Sequence, residues 1–127
     1  MEKTVIRTEA APAPFQGAPY NQAIVAGELV FVAGQLGLSP GDSAVEGDVA
    51  AQTEQALANL GAILAAAGSS LDKLVKTTVF LQQLDDFQAM NEVYAKHVGE
   101  HPPARSTFEV AKLPSGALVE IEAIAHL

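Results

Sequence analysis

Arg105 is one of only two arginines in a chain with fifteen acidic and seven basic residues. It stands in the run Pro103-Ala104-Arg105-Ser106-Thr107-Phe108-Glu109-Val110, a short connection before a second apolar run that carries two carboxylates, Val119-Glu120-Ile121-Glu122-Ala123. A planar guanidinium can grip a carboxylate through two parallel hydrogen bonds. A glutamate set in an apolar strand can hold a water and take its proton. Together they would bind a small organic acid and activate water beside it. Each also has a plain structural role: an ion pair with a neighbouring acid for Arg105, and pairing across a subunit contact for Glu120 and Glu122, which are costly to bury without partners. Residue type leaves both roles open.

Other residues carry weaker signals. Asn91 lies four residues after Phe87 and one after Met90, at the edge of an apolar helical stripe, where its amide must support either a backbone segment or a ligand. Tyr20 follows the rigid Ala18-Pro19 pair and either lines a pocket or plugs the core. His97 and His101 are four residues apart with Glu100 between them, a metal-like spacing, but Gly99 and Pro102 break the helix that would align them, and a third ligand would have to come from distant His126 or an acid. The glycines from Gly34 to Gly37 lack the spacing and following helix of a phosphate loop. No serine and histidine arrangement points to covalent catalysis, and the absence of cysteine excludes thiol chemistry and disulfides.

The elements that must position these residues follow from periodicity. Residues 4–8 read as a short strand, and the Pro-rich stretch to Tyr20 as loop. Residues 21–26 and 29–33 read as two strands of a hairpin turned by Gly27-Glu28, and residues 34–42, with three glycines and a proline, as a loop leaving a strand end. From Asp48 to Ala67, apolar residues recur at steps of three and four, with Gln52, Glu54, Gln55 and Asn59 elsewhere around the wheel; Asp48 caps this helix and Gly68 ends it. Residues 74–81 are a β-branched strand. A second helix starts at Asp85-Asp86 and lines Phe87, Met90, Tyr94 and Val98 along one face until Gly99. Residues 104–110 and 118–125 are two more strands.

Alternation on the first of these puts Arg105, Thr107 and Glu109 on one face and Ser106, Phe108 and Val110 on the other. The apolar set is expected against the helices, which would direct Arg105 to the opposite face. On the last strand, Val119, Ile121, Ala123 and Ala125 form the core side, with Glu120 and Glu122 opposite. The whole describes one α+β domain over residues 1–127, a single mixed sheet with two helices on one face.

Composition narrows the function. A formal charge of −8 with no basic run argues against nucleic acid and anionic membranes as partners. No segment reaches the roughly 18 unbroken apolar residues that a membrane span needs, and a cytoplasmic protein is the default. Hydrophobic residues make up 49% of the chain, more apolar surface than two helices can cover on one sheet, so oligomerisation is expected.

Nearly the whole length resembles the Rid/YjgF family of reactive-intermediate deaminases, also called the liver perchloric-acid-soluble protein family. The resemblance is carried by Pro19-Tyr20-Asn21-Gln22-Ala23, Ala33-Gly34-Gln35-Leu36, Lys76-Thr77-Thr78-Val79-Phe80-Leu81, Met90-Asn91-Glu92-Val93-Tyr94, Pro103-Ala104-Arg105-Ser106 and Val119-Glu120-Ile121-Glu122-Ala123. It implies a chorismate-mutase-like fold, a homotrimer with clefts between subunits, and hydrolysis of 2-iminobutanoate or 2-iminopropanoate to 2-keto acids and ammonia without metal or organic cofactor. By resemblance Arg105 clamps the substrate carboxylate and Glu120 positions water. Tyr20 and Asn91 line or support the pocket, and the backbone around Gly34 contacts the ligand. Thr107 stands where cysteine is common, Ala33 where serine is frequent and Ala18 where glycine is usual, which bears on pocket shape. The alternatives are a non-catalytic binder of small carboxylates, regulatory in role, and a deaminase of a larger substrate such as 2-aminomuconate.

Overall fold

Among the described residues, 2–127, the computed structural model forms six strands and two helices longer than one turn; Met1 of the expected domain lies outside them. The strands are β1 (Lys3–Ile6), β2 (Ala23–Ala26), β3 (Leu29–Leu36), β4 (Leu74–Leu81), β5 (Ala104–Glu109) and β6 (Val119–His126), and the helices are α1 (Val49–Ala66) and α2 (Phe87–Val98). They build one mixed sheet in the order β1-β2-β3-β6-β4-β5, antiparallel throughout except for β4 beside β5. That parallel pair needs a long crossover, and α2 supplies it. No helix among the described residues is long and apolar enough to cross a membrane.

Helix α1 starts where Asp48 accepts a hydrogen bond from the Ala51 amide at 2.9 Å, and it ends where Gly68 takes φ +84° while the Ser69 amide returns to the Leu64 carbonyl at 2.8 Å. Its stripe of Ala56, Leu57, Leu60, Ile63 and Leu64 is wholly inaccessible, packed with Val30, Val79, Leu81, Val119 and Ile121 of the sheet. Each such aliphatic side chain contributes about 1.5–3 kcal/mol on burial.

Two amides expected on the outer face of α1 are buried instead. Asn59 donates to the carbonyls of Leu36 (3.2 Å) and Leu38 (2.8 Å), while Gln52 donates to the Gly47 carbonyl and accepts from the Leu118 amide, both at 2.9 Å. Both are satisfied by backbone at strand ends and in the adjoining loops, so burial costs them little. They fasten the end of β3 and the entry to β6.

Strand β3 also runs further than its glycines suggested, through Gly34 and Gln35 to Leu36. Its pairing with β6 is interrupted between Val32 and Gln35 by a bulge. Gly34 is there because of what approaches it, rather than for a turn.

The faces of β6 fall as alternation predicts: Val119, Ile121, Ala123 and Ala125 are buried, Glu120 and Ile124 half-buried and Glu122 exposed on the other side. Strand β5 has the expected alternation in the opposite phase. Arg105 and Thr107 face the helix layer, whereas Phe108 lies on the open face, 45% exposed and edge-on to Phe80 with ring centroids 5.4 Å apart. The expectation that Phe108 would join the core fails because the open face is itself apolar. Val5 and Phe31 stand on it at 44% and 42% exposure, so hydrophobicity does not distinguish the two sides.

Candidate functional site

Arg105 stands on β5, the edge strand, in register with Thr77 of β4. Its guanidinium carbon lies 4.8 Å from the Tyr94 ring centroid and 5.5 Å from that of Phe87, both on α2. The one salt bridge among the described residues joins His97 to Glu54 at 2.8 Å, between the two helices, so Arg105 is unpaired. Two further polar atoms in the same α2–β5 seam lack partners: Asn91 Oδ1, on the helix between Phe87 and Tyr94, and Thr107 Oγ1, two residues along the strand from Arg105 on the same face. Native proteins rarely leave such groups unsatisfied. A cation without an anion beside two buried polar atoms without partners makes this seam the candidate ligand site.

Glu120 lies elsewhere. It pairs in register with Phe80 of β4 and Leu36 of β3, on the open face. Burial pushes its pKa above the ordinary glutamate value of 4.5, and the neighbouring Glu122 carboxylate adds to the rise. Its carboxylate occupies the space over the β3 bulge where a side chain at Gly34 would stand, and a Cβ built on Gly34 collides with Glu120 Oε2. The backbone at Gly34 needs no left-handed φ, so alanine would be tolerated by the chain but not by the glutamate. A Gly34→Ala variant is expected to fold with a melting temperature near that of the unchanged protein, because the flexible end of Glu120 can move, yet to lose about tenfold or more in any activity that requires that carboxylate in place. A thermal melt beside a rate measurement separates the two effects.

Tyr20 is 42% exposed, and its hydroxyl accepts a hydrogen bond from the Phe15 amide at 2.6 Å, closing residues 15–20 into a small ring. The chain just before it is held by Gln22, whose buried amide donates to the carbonyls of Thr8, Ala11 and Pro12. Tyr20 shares a small cavity with Gly34, Gln35 and Phe15. A depression of about 940 Å³ opens around Arg7, Pro14, Tyr20 and Asn21, and neither Arg105 nor Glu120 borders it.

The sequence-predicted residues therefore fall into two groups. Arg105, Asn91 and Thr107 share the α2–β5 seam; Glu120, Gly34 and Tyr20 gather around the β3–β6 bulge. Strand β4 separates them. With strands about 4.8 Å apart and residues about 3.3 Å apart along them, the Arg105 and Glu120 Cα atoms stand roughly 14 Å from each other, and their side chains leave opposite faces. Thr77, Phe87 and Tyr94 were not among the residues singled out from the sequence, where Phe87 and Tyr94 read as core stripe. Their signal was the helical spacing itself, which names a face but not the cation lying on it.

Geometry thus defines a one-sheet α+β protein with an unpaired, ring-backed guanidinium on one side and a desolvated carboxylate on the other. A family model described as Endoribonuclease L-PSP matches residues 8–127, and the chain belongs to that family, the Rid/YjgF family. A RutC family protein of Pyrococcus horikoshii is 51% identical over 125 residues, covering 98% of both chains. The 2-iminobutanoate/2-iminopropanoate deaminase of Homo sapiens is 41% identical over 124 residues, 97% of this chain and 89% of the human protein. The crystal structure of E. coli TdcF with bound serine superposes with a TM-score of 0.89 at 38% identity, covering 98% of each chain.

Proposed function

We propose that the chain hydrolyses small 2-imino acids, 2-iminobutanoate and 2-iminopropanoate in particular, to 2-keto acids and ammonia, in clefts formed where copies of the chain meet as a homotrimer. The observation that carries this reading is the division of the site. Arg105 with Asn91 and Thr107 offers an anion clamp without a base, and Glu120 over Gly34 offers a base without a clamp. They leave opposite faces of one sheet, so a second copy must bring a base to each clamp. The half-exposed Val5, Phe31 and Phe108 of the open face give copies an apolar reason to associate. The relationship to a named imine deaminase supports the same chemistry.

Arg105 binds the substrate carboxylate and presents the C=N carbon. Water held by Glu120 attacks that carbon: a C–O bond forms, the C=N π pair moves to nitrogen, and Glu120 takes the water proton and passes it to that nitrogen. In the resulting carbinolamine Glu120 takes the hydroxyl proton and delivers it to the amino nitrogen; the O–H pair becomes the C=O bond, the C–N pair leaves with nitrogen, and the products are a 2-keto acid and ammonia. Every atom of water is accounted for, and no redox partner is required. Because imines of this kind hydrolyse unaided, one clamp and one base meet the demand.

The test is ammonia release from 2-iminobutanoate generated in situ by an amino-acid oxidase, with oligomeric mass measured by light scattering. A rate above the uncatalysed background from a trimer is expected. Affinity for 2-oxobutanoate with no added rate would leave only a carboxylate-binding role. The ribonuclease activity in the family's description is not part of the proposal, since a chain with formal charge −8 has no cationic track for a phosphate backbone.

Glu120 must be ionised to act. Its raised pKa means that kcat/KM should fall on acidification with a midpoint above 4.5, higher than an ordinary glutamate would give. Removing the smaller contribution with Glu122→Gln should move the midpoint down without abolishing the rise from burial. A pH–rate profile of both proteins, corrected for spontaneous hydrolysis, checks the direction.

A further inference from the structure

We infer that Tyr94, held by Thr77, is a positioning residue for Arg105, fixing the guanidinium against its ring so that no carboxylate is needed to orient it and its remaining N–H donors stay open to the incoming anion. The inference rests on the reading of Arg105 as a carboxylate clamp. An arginine that must grip a ligand has long rotatable bonds to immobilise first. Proteins commonly orient such a group with a carboxylate, but an acid would occupy the same in-plane donors that the substrate needs. Here no acid does so. The guanidinium carbon sits 4.8 Å from the Tyr94 ring centroid and 5.5 Å from the Phe87 ring, two residues that share a face two turns apart on α2.

An aromatic ring attracts a cation without setting a competing carboxylate on its donors. Tyr94 is itself fixed, because its hydroxyl and Thr77 Oγ1 are 2.6 Å apart in the interior, and Thr77 lies in register with Arg105 on the neighbouring strand. One short chain of contacts, Thr77 to Tyr94 to Arg105, thus sets the angle of the clamp. Burial raises the Tyr94 pKa above 10.0, so the phenol stays neutral.

The experiment compares Tyr94→Phe, Tyr94→Leu and Phe87→Leu. Two readouts are taken: KM and kcat for 2-iminobutanoate, and Kd for 2-oxobutanoate by calorimetry, which needs no turnover. Tyr94→Leu, which removes the ring, is expected to raise KM and Kd about tenfold with a much smaller change in kcat. Tyr94→Phe, which keeps the ring but frees it from Thr77, should recover most of that loss. Phe87→Leu, at a position 41% exposed and therefore safe for folding, should raise Kd about threefold.

Wild-type KM and Kd in Tyr94→Leu overturn the inference, as does equal impairment in Tyr94→Phe and Tyr94→Leu. If Tyr94→Leu does not fold, an unchanged Kd in Phe87→Leu overturns it. A wild-type protein that binds 2-oxobutanoate but releases no ammonia ends the deaminase proposal, and the same order of Kd among the variants would then still support this one.

Discussion

An Arg105→Ala protein is expected to lose at least about a hundredfold in kcat/KM for 2-iminobutanoate while melting within a few degrees of the parent. The size of the loss follows from the clamp: without the guanidinium nothing anchors the carboxylate, and the C=N carbon is no longer presented to water. The small effect on stability follows from the surroundings. Arg105 stands on the edge strand and forms no ion pair among the described residues, so its removal leaves no acid stranded. Arg105→Lys is the sharper control, because it keeps the charge and discards the planar fork. Recovery of only a small part of the rate is expected. Steady-state kinetics beside a thermal melt decide the matter, and a fully active Arg105→Ala protein would reject the clamp.

Glu120→Gln should cost about 10²–10⁴ in kcat, the range for removing a positioned general base, with little change in KM. The stability effect has a definite sign. Folding raises the Glu120 pKa, which means the folded protein disfavours the ionised form; at neutral pH the glutamine variant should be as stable as the parent or slightly more so. Loss of rate with retained stability distinguishes a base from a structural ion pair, whose deletion would lower both. Mixing Arg105→Ala with Glu120→Gln protein adds a test of the shared cleft. If clamp and base come from different copies, reassociated mixtures should regain part of the activity that neither variant has alone, whereas no recovery in confirmed hetero-oligomers would reject it.

Much of this protein was legible from its residues. The capping Asp48, the helical repeat ending at Gly68 and the alternation of β6 are local signals, and local signals survive in sequence because they concern neighbours three, four or two residues apart. Arg105 and Glu120 stand out in the chain on residue type alone, as a rare cation and a carboxylate in an apolar strand. Where the reading failed, the deciding partner lay far along the chain. Asn59 and Gln52 are polar, but carbonyls some twenty residues upstream and an amide 66 residues downstream make them interior. Gly34 looked like a strand end, and Glu120 made it a bulge.

The orientation of Arg105 is the clearest case. Period-two alternation determined that Arg105 and Thr107 share a side and that Phe108 takes the other, since successive Cβ atoms must point oppositely. It did not determine which side meets the helices, because both sides of this sheet carry apolar residues and burial gives no vote when each face has something to hide. Tertiary structure decided that by laying Tyr94 and Phe87 across the guanidinium. The same decision put the guanidinium and the Glu120 carboxylate on opposite faces of the sheet, a separation that neighbours along the strand could not announce.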